Sequence, residues 1–268
     1  MTILIDAILS SSLVHGGGTD DSNIVLFRRE SIIQPDGKIV KCPVFSGNAV
    51  RGVLRRAGAW LLSDRLGWAD NPPSRKVLRI VSSGGALIAE PALPVDLQNL
   101  TRRLPHLSLF GGSWGGSIHQ GSLVVGKLLP VCAETAHITG IPSDMRVGRL
   151  LDLEQYVRHD GGPVSVDVVD GEHDDGNQMI YQVETLSAGV RVVGVIDLRP
   201  WATSDDNDWL HACLRHIVET GGHFGGRSAT GHGRIDLSPL VDGAAADRGL
   251  QFVTDHADDY RAVFDAIR

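Results

Sequence analysis

The chain has few of the features that would place it at once. Among its 268 residues there are three cysteines, Cys42, Cys132 and Cys213, none in a CxxC pair, so neither a disulfide framework nor a thiolate zinc site is expected. The longest stretches poor in charge, 81–89, 104–118 and 121–133 (the last carrying Lys127), are interrupted by Gly, Ser or Pro and fall short of the roughly 20 apolar residues of a membrane span. The opening MTILIDAILSSSLV has no basic flank and carries Asp6 within its apolar run, which reads as a first strand and not as a signal peptide. A cytoplasmic protein with no membrane partner is expected. Lysine is scarce: 21 of the 25 basic residues are Arg. Arginine's planar fork suits phosphate and base stacking better than an ammonium does, although a GC-rich genome gives the same bias.

The charge is unevenly distributed. The net value is −7, yet residues 22–79 hold eleven Lys/Arg against four Asp/Glu, a local +7. Composition does not explain that clustering, and a basic face is expected. Residues 150–185 are the opposite, with nine Asp/Glu and Arg158 alone against them.

Periodicity gives a coarse element order. Residues 2–14 partly alternate as a strand, and Asn23 to Ile33 and Ile39 to Phe45 read as extended pieces around a Pro35-Asp36-Gly37 turn. From Asn48 to Leu66 the apolar positions Val50, Val53, Leu54, Ala57 and Leu61 recur at helical spacing, with Arg51, Arg55 and Arg56 on the other side. Residues 67–120 read as an irregular insertion, with loops and short strands over 70–100 and four glycines around Trp114 at 107–118, then 121–133 as a strand and 141–180 as an acidic projection. Met179 to Leu198 gives two strands, Asp205-Asp206 opens a helix to Thr220, and a glycine-rich loop at 221–236 precedes a terminal strand and a C-terminal helix from about Ala244. This order is that of an α+β fold in one domain spanning 1–268, with helices on one face of an antiparallel sheet. A split βαβ arrangement of ferredoxin or RRM type fits it.

Two places could carry chemistry. Ser46-Gly47-Asn48 opens the long helix, where unpaired N–H groups and the helix dipole suit a phosphate, and Arg51 and Arg55 would extend that grip. The loop at 221–236 has six glycines, with Arg227, Ser228 and His232 among them. Glycines let backbone approach a polyanion closely. The loop lacks the Lys-Ser/Thr of a Walker motif and the spacing of a dinucleotide fingerprint. No histidine cluster has metal-site spacing, and Glu172-His173-Asp174-Asp175 reads as a solvated loop.

Five separated patches together carry a resemblance: His15-Gly16-Gly17-Gly18; Pro43-Val44-Phe45-Ser46-Gly47-Asn48-Ala49-Val50-Arg51-Gly52-Val53-Leu54-Arg55-Arg56; Leu109-Phe110-Gly111-Gly112; Tyr181-Val183-Glu184 with Ala188-Gly189; and Gly225-Gly226-Arg227-Ser228 through Gly231-His232-Gly233-Arg234. In order and spacing they resemble the RAMP superfamily of CRISPR proteins, and within it the backbone subunits of type III and type IV effector complexes, the Ser-Gly-Asn-x-x-Arg-Gly form leaning to type IV. The resemblance implies a modified RRM fold with a thumb at about 141–180. It also implies several copies wound along one guide RNA beside other effector-complex subunits, the guide's bases being left free to pair with a target nucleic acid. By motif position it assigns Ser46, Asn48, Arg51 and Arg55 to phosphate contact and Gly225, Gly226, Arg227, Ser228, Gly231 and His232 to the glycine loop, with no cofactor; His15, Gly16, Gly17, Gly47, the neighbouring arginines Arg28 and Arg29, and Trp114 as a stacking residue complete the expected RNA contacts. The target-cleaving aspartate of type III subunits has no counterpart in Leu26-Phe27-Arg28-Arg29-Glu30-Ser31, so binding without cutting is expected. The alternative is an endoribonuclease using Glu30 or His15.

Overall fold

The computed structural model describes residues 2–17, 24–158 and 179–267. In chain order the first elements are β1 (Thr2–Ile8), β2 (Ile24–Val25), β3 (Arg29–Ile33), β4 (Ile39–Pro43) and α1 (Gly47–Arg65). Next come α2 (Arg75–Ser83), α3 (Val95–Thr101), α4 (Pro105–Phe110), β5 (Gly111–Trp114), β6 (Ser117–Gln120), β7 (Leu123–Val125), β8 (Leu129–Pro130) and α5 (Ala136–Thr139). The last are β9 (Leu151–Arg158), β10 (Met179–Leu186), β11 (Arg191–Leu198), α6 (Ser204–Glu219), α7 (Gly243–Asp255) and α8 (Ala257–Ile267).

β1 alternates as the sequence predicts, with Ile3, Ile5 and Ala7 buried and Leu4, Asp6 and Ile8 outward. It pairs antiparallel with β11 from Thr2↔Asp197 to Ile8↔Arg191, and β11 pairs antiparallel with β7 and β8. Beyond β1 the final strand of the pattern is reduced to one bridge, Leu9↔Ile235. The order Ile235, β1, β11, β7, with α1 and α6 as crossovers, is the split βαβ arrangement of the ferredoxin-like α+β fold. Val50, Leu54, Ala57 and Leu62 of α1 join Leu210, Cys213, Leu214 and Ile217 of α6 and the inward residues of β1 in one hydrophobic cluster. Burying each of these aliphatic side chains contributes roughly 1.5–3 kcal/mol.

The structure corrects the reading of 70–100 as loops and short strands, because α2 and most of α3 occupy that stretch, while α4 and the β5–β6 hairpin follow it. The prolines at 72–73 and 91 do mark breaks, but each break precedes a short helix. Ser74 caps α2, its Oγ accepting the Val77 N–H, and Val77, Ile80 and Val81 enter the central cluster. The C-terminal helix is two helices, with Val253, Tyr260, Val263 and Phe264 in the same cluster. In the acidic stretch, β9 pairs antiparallel with β10 along its length, from Leu151↔Leu186 to Arg158↔Met179, and β2 lies parallel to β10. Within the range expected for the thumb, β9 and β10 thus form a two-stranded arm. The rest of that expected range, residues 159–178, lies outside the described residues. No helix among the described residues is long and apolar enough to cross a membrane.

Candidate nucleic-acid interface

The start of α1 is built for unpaired donors. Ser46 is the N-cap, extended at φ −69° and ψ 143°, and its Oγ accepts the Ala49 N–H at 3.3 Å. The next residue must lack a side chain, since a Cβ on Gly47 would stand 2.3 Å from the Val125 carbonyl oxygen. That approach seats the helix end against β7. Among the described residues the Gly47 and Asn48 N–H groups meet no acceptor, as the first turn of a helix ordinarily leaves them. Behind the cap, His15 Nε2 accepts the Ser46 N–H at 3.3 Å while its ring packs edge-on against Phe45, centroids 4.7 Å apart. Burial, helped by the nearby Arg28 charge, lowers the His15 pKa. The imidazole is thus held neutral, with one lone pair committed to the cap.

The glycine loop is brought to the same place by backbone hydrogen bonds to the continuation of β1. Gly226 N–H donates to the Val14 carbonyl at 3.0 Å and Gly233 N–H to the Ser12 carbonyl at 2.7 Å. Gly225 has φ +76°, and a Cβ there would come 2.2 Å from the Val14 oxygen. Val14, His15 and Gly16, the α1 residues Asn48, Ala49, Gly52, Val53 and Arg56, and Gly225 with Gly226 enclose an open cleft of about 240 Å³. The two segments that the sequence singles out therefore converge. Among the described residues no carboxylate lines the cleft, while Arg56 is exposed on its wall.

Several expected contacts are placed elsewhere. Arg51 donates to the carbonyl oxygens of Leu123 at 2.5 Å and Phe110 at 2.6 Å. Arg55 is 8% exposed and donates to the carbonyls of Phe110 and Gly111. Both guanidinium groups serve the orphan carbonyls at the C-terminal end of α4, where a cation also complements the helix dipole. Burial, with the Arg51 charge beside it, pushes Arg55 down to about 10, so it stays charged at neutral pH. Arg51 and Arg55 are therefore structural, contrary to their assignment as phosphate ligands. The physical reason is phase: Asn48, Gly52 and Arg56 form one stripe at i, i+4 and i+8, while Arg51 and Arg55 form the neighbouring stripe that faces the insertion. Arg56 is the residue the sequence reading left out of the site, and extending the Asn48 stripe would have found it.

Trp114 is also misplaced by the expectation: it is 2% exposed and stacked on His119 with ring centroids 4.2 Å apart, leaving no face for a base. Arg29 is paired with Glu184, which also accepts the Phe27 N–H, whereas Arg28 is exposed beside His15. Gly16 lines the cleft; Gly17 is exposed and its N–H donates to the Leu26 carbonyl. Ser228 and Gly231 sit on the exposed rim of the loop.

Arg227 and His232 face away from the cleft, toward the β9–β10 arm. The Arg227 guanidinium carbon lies 4.5 Å from the Tyr156 ring centroid and 4.7 Å from that of Tyr181, and Arg227 donates to the Tyr181 hydroxyl at 3.0 Å. His232 is buried, its Nδ1 2.9 Å from Ser12 Oγ and its Nε2 2.5 Å from the Tyr156 hydroxyl, which in turn donates to Glu154 at 2.8 Å. Burial and the Glu154 carboxylate push the Tyr156 phenol up to about 12, keeping it a proton donor.

The RAMP superfamily family model matches residues 9–236. The chain belongs to the RAMP superfamily. Among solved structures, this RAMP chain is similar to a chain of a Type IV-B CRISPR complex, with 29% identity, a TM-score of 0.62, and coverage of 91% of this chain and 93% of that one. No curated protein matches it. Family and neighbour together agree with the type IV-like resemblance carried by the five sequence patches.

Proposed function

We propose that this CRISPR-complex RAMP chain is a guide-RNA-binding backbone subunit. Several copies lie along one guide in the cytoplasm, each holding the ribose-phosphate strand while the bases stay free to pair with a target nucleic acid. The observation that carries this reading is the shared cleft between the α1 N-terminus and the glycine loop. Its donors are of the kind that grip a polyanion without reading sequence: Asn48 and Arg56 line it, the Gly47 N–H directly precedes Asn48 on α1, and exposed Arg28 lies beside the lining His15. The phosphate grip assigned to Arg51 and Arg55 passes to Arg56 and Arg28.

Binding without cutting is part of the proposal. Glu30, the carboxylate nearest the expected cleavage position, is ion-paired with Lys127. His15 has Nε2 engaged by the Ser46 N–H, which leaves it poorly placed as a general base. The test is purification from cells that carry the locus, followed by sequencing of bound RNA. A uniform short species with a constant flank supports the reading, and protein free of nucleic acid overturns it. Discrete products from guide precursor or target RNA, lost on Glu30→Gln or His15→Ala, would favour the endoribonuclease instead.

A further inference from the structure

Arg227 is the one non-glycine residue with positive φ among the described residues, at φ 60° and ψ 31°. Such a conformation persists in a residue with a side chain only where the surroundings impose it. Two sets of contacts do so. Its carbonyl accepts the Thr230 N–H at 3.0 Å and the His232 N–H at 3.3 Å, closing the turn that follows. Its guanidinium lies over both rings of the Tyr156–Tyr181 pair, which face each other across β9 and β10 with centroids 5.4 Å apart. A cation over an aromatic face is attracted by the ring quadrupole, and two rings hold it in one place. Five residues on, His232 repeats the attachment through Ser12 on one side and Tyr156 on the other. One side of the glycine loop thus faces the cleft at Gly225 and Gly226, and the other is bolted to the arm.

We propose that Arg227 is a positioning residue that couples the β9–β10 arm to the cleft: its stack on Tyr156 and Tyr181 sets the glycine-loop shape that a ribose-phosphate strand meets. The proposal rests on the RNA-binding reading and adds to it that a residue of the loop acts through the arm. An arginine spent on two rings is not a phosphate ligand, so its removal weakens binding without reducing the number of counterions released.

The experiment is binding of an unstructured single-stranded RNA across a salt series, with hydrogen exchange of amides 225–232 read in parallel. Arg227→Ala, Arg227→Lys and the double variant Tyr156→Ala/Tyr181→Ala are each expected to weaken binding on the order of tenfold, the scale of a partly desolvated cation–π contact. The slope of log affinity against log salt should stay at the wild-type value. Tyr181→Phe, which keeps the ring, retains most of the affinity. In the weakened variants the loop amides exchange faster while β1 and α1 keep their protection, which separates loosening of the loop from loss of the fold. Two results overturn the proposal alone: wild-type affinity and loop exchange in Arg227→Lys and in the double tyrosine variant, or a slope that falls by about 0.7 in Arg227→Ala, the mark of a lost phosphate contact on a single strand. A wild-type chain without RNA affinity overturns the proposal together with the reading it rests on. Loss of binding in Arg56→Glu, with the arm variants unaffected, overturns the coupling and leaves that reading standing.

Discussion

Truncating Arg55 to alanine removes a guanidinium that is 8% exposed and whose close hydrogen bonds end on the Phe110 and Gly111 carbonyls at the C-terminal end of α4. Hydrogen bonds from a charged donor are worth about 1.5–3 kcal/mol each, and a buried acceptor left unpaired costs about 1–3 kcal/mol. Phe110 keeps its bond from Arg51, so the loss falls mainly on Gly111 and on the stack of Arg55 over the Phe110 ring, 5.5 Å from its centroid. Relief of the desolvation that lowers the Arg55 pKa offsets part of this. A net loss of about 3–4 kcal/mol is expected, or roughly 10 °C in Tm for a chain of this size. Thermal unfolding followed by circular dichroism, with RNA retention measured well below the transition, separates stability from binding. Arg55→Lys should fall between wild type and alanine, because one ammonium cannot reproduce the fork. If Arg55→Ala unfolds within about 2 °C of wild type yet loses RNA more than about tenfold, on the scale where 1.4 kcal/mol is a factor of ten, Arg55 contacts the strand and its buried role is wrong.

Other consequences are open to measurement. Arg56→Glu, on the exposed wall of the cleft, should abolish RNA retention and leave Tm within about 2 °C, since surface substitutions usually stay within about 0.5 kcal/mol. Gly47→Ala should destabilise by about 2 kcal/mol or more, because a Cβ 2.3 Å from Val125 O drives α1 off β7; unfolding in urea without a shift in midpoint would refute that contact. His106 is buried, accepts the Trp209 N–H at Nδ1 and donates from Nε2 to the Val81 carbonyl, and burial pushes it down to about 3. The unfolded chain then binds the proton more readily, so stability is full above pH 6.5 and falls by roughly 4–5 kcal/mol as pH drops toward 3. His15, also lowered by burial, adds to the same trend. Urea unfolding between pH 7 and pH 4 should show this loss, and His106→Asn should flatten it; an unchanged slope in the variant would refute the assignment.

Much of the site was legible because its signals are local. Ser46-Gly47-Asn48 states a helix start through a cap and a residue small enough for β7, and alternation alone placed the buried face of β1. The helices of 67–120 were missed because α3 and α4 have seven and six residues, too short for a period to declare itself against the surrounding Gly and Pro. The fate of Arg51, Arg55 and Trp114 was not legible for a different reason. Each is decided by what packs against it from a segment dozens of residues away, and an arginine stripe facing carbonyls has the same spacing as one facing solvent. Arg56 was within reach, since the face defined by Asn48 continues to it. The arm's attachment through Arg227 needed the pairing of Tyr156 with Tyr181 across β9 and β10, a register that neither strand specifies alone.

The reduction of the final strand to the Leu9↔Ile235 bridge has a cost on the far side of the sheet. On the edge away from β11, β1 has no ladder neighbour along Thr2–Ile8 among the described residues, and the outward Leu4 and Ile8 are exposed on the same strand. Such a border invites strand addition by other chains. Asp6, ion-paired with Arg191, places charge midway along that strand, and Asp6→Ala is expected to raise self-association, read by light scattering, before it alters the fold.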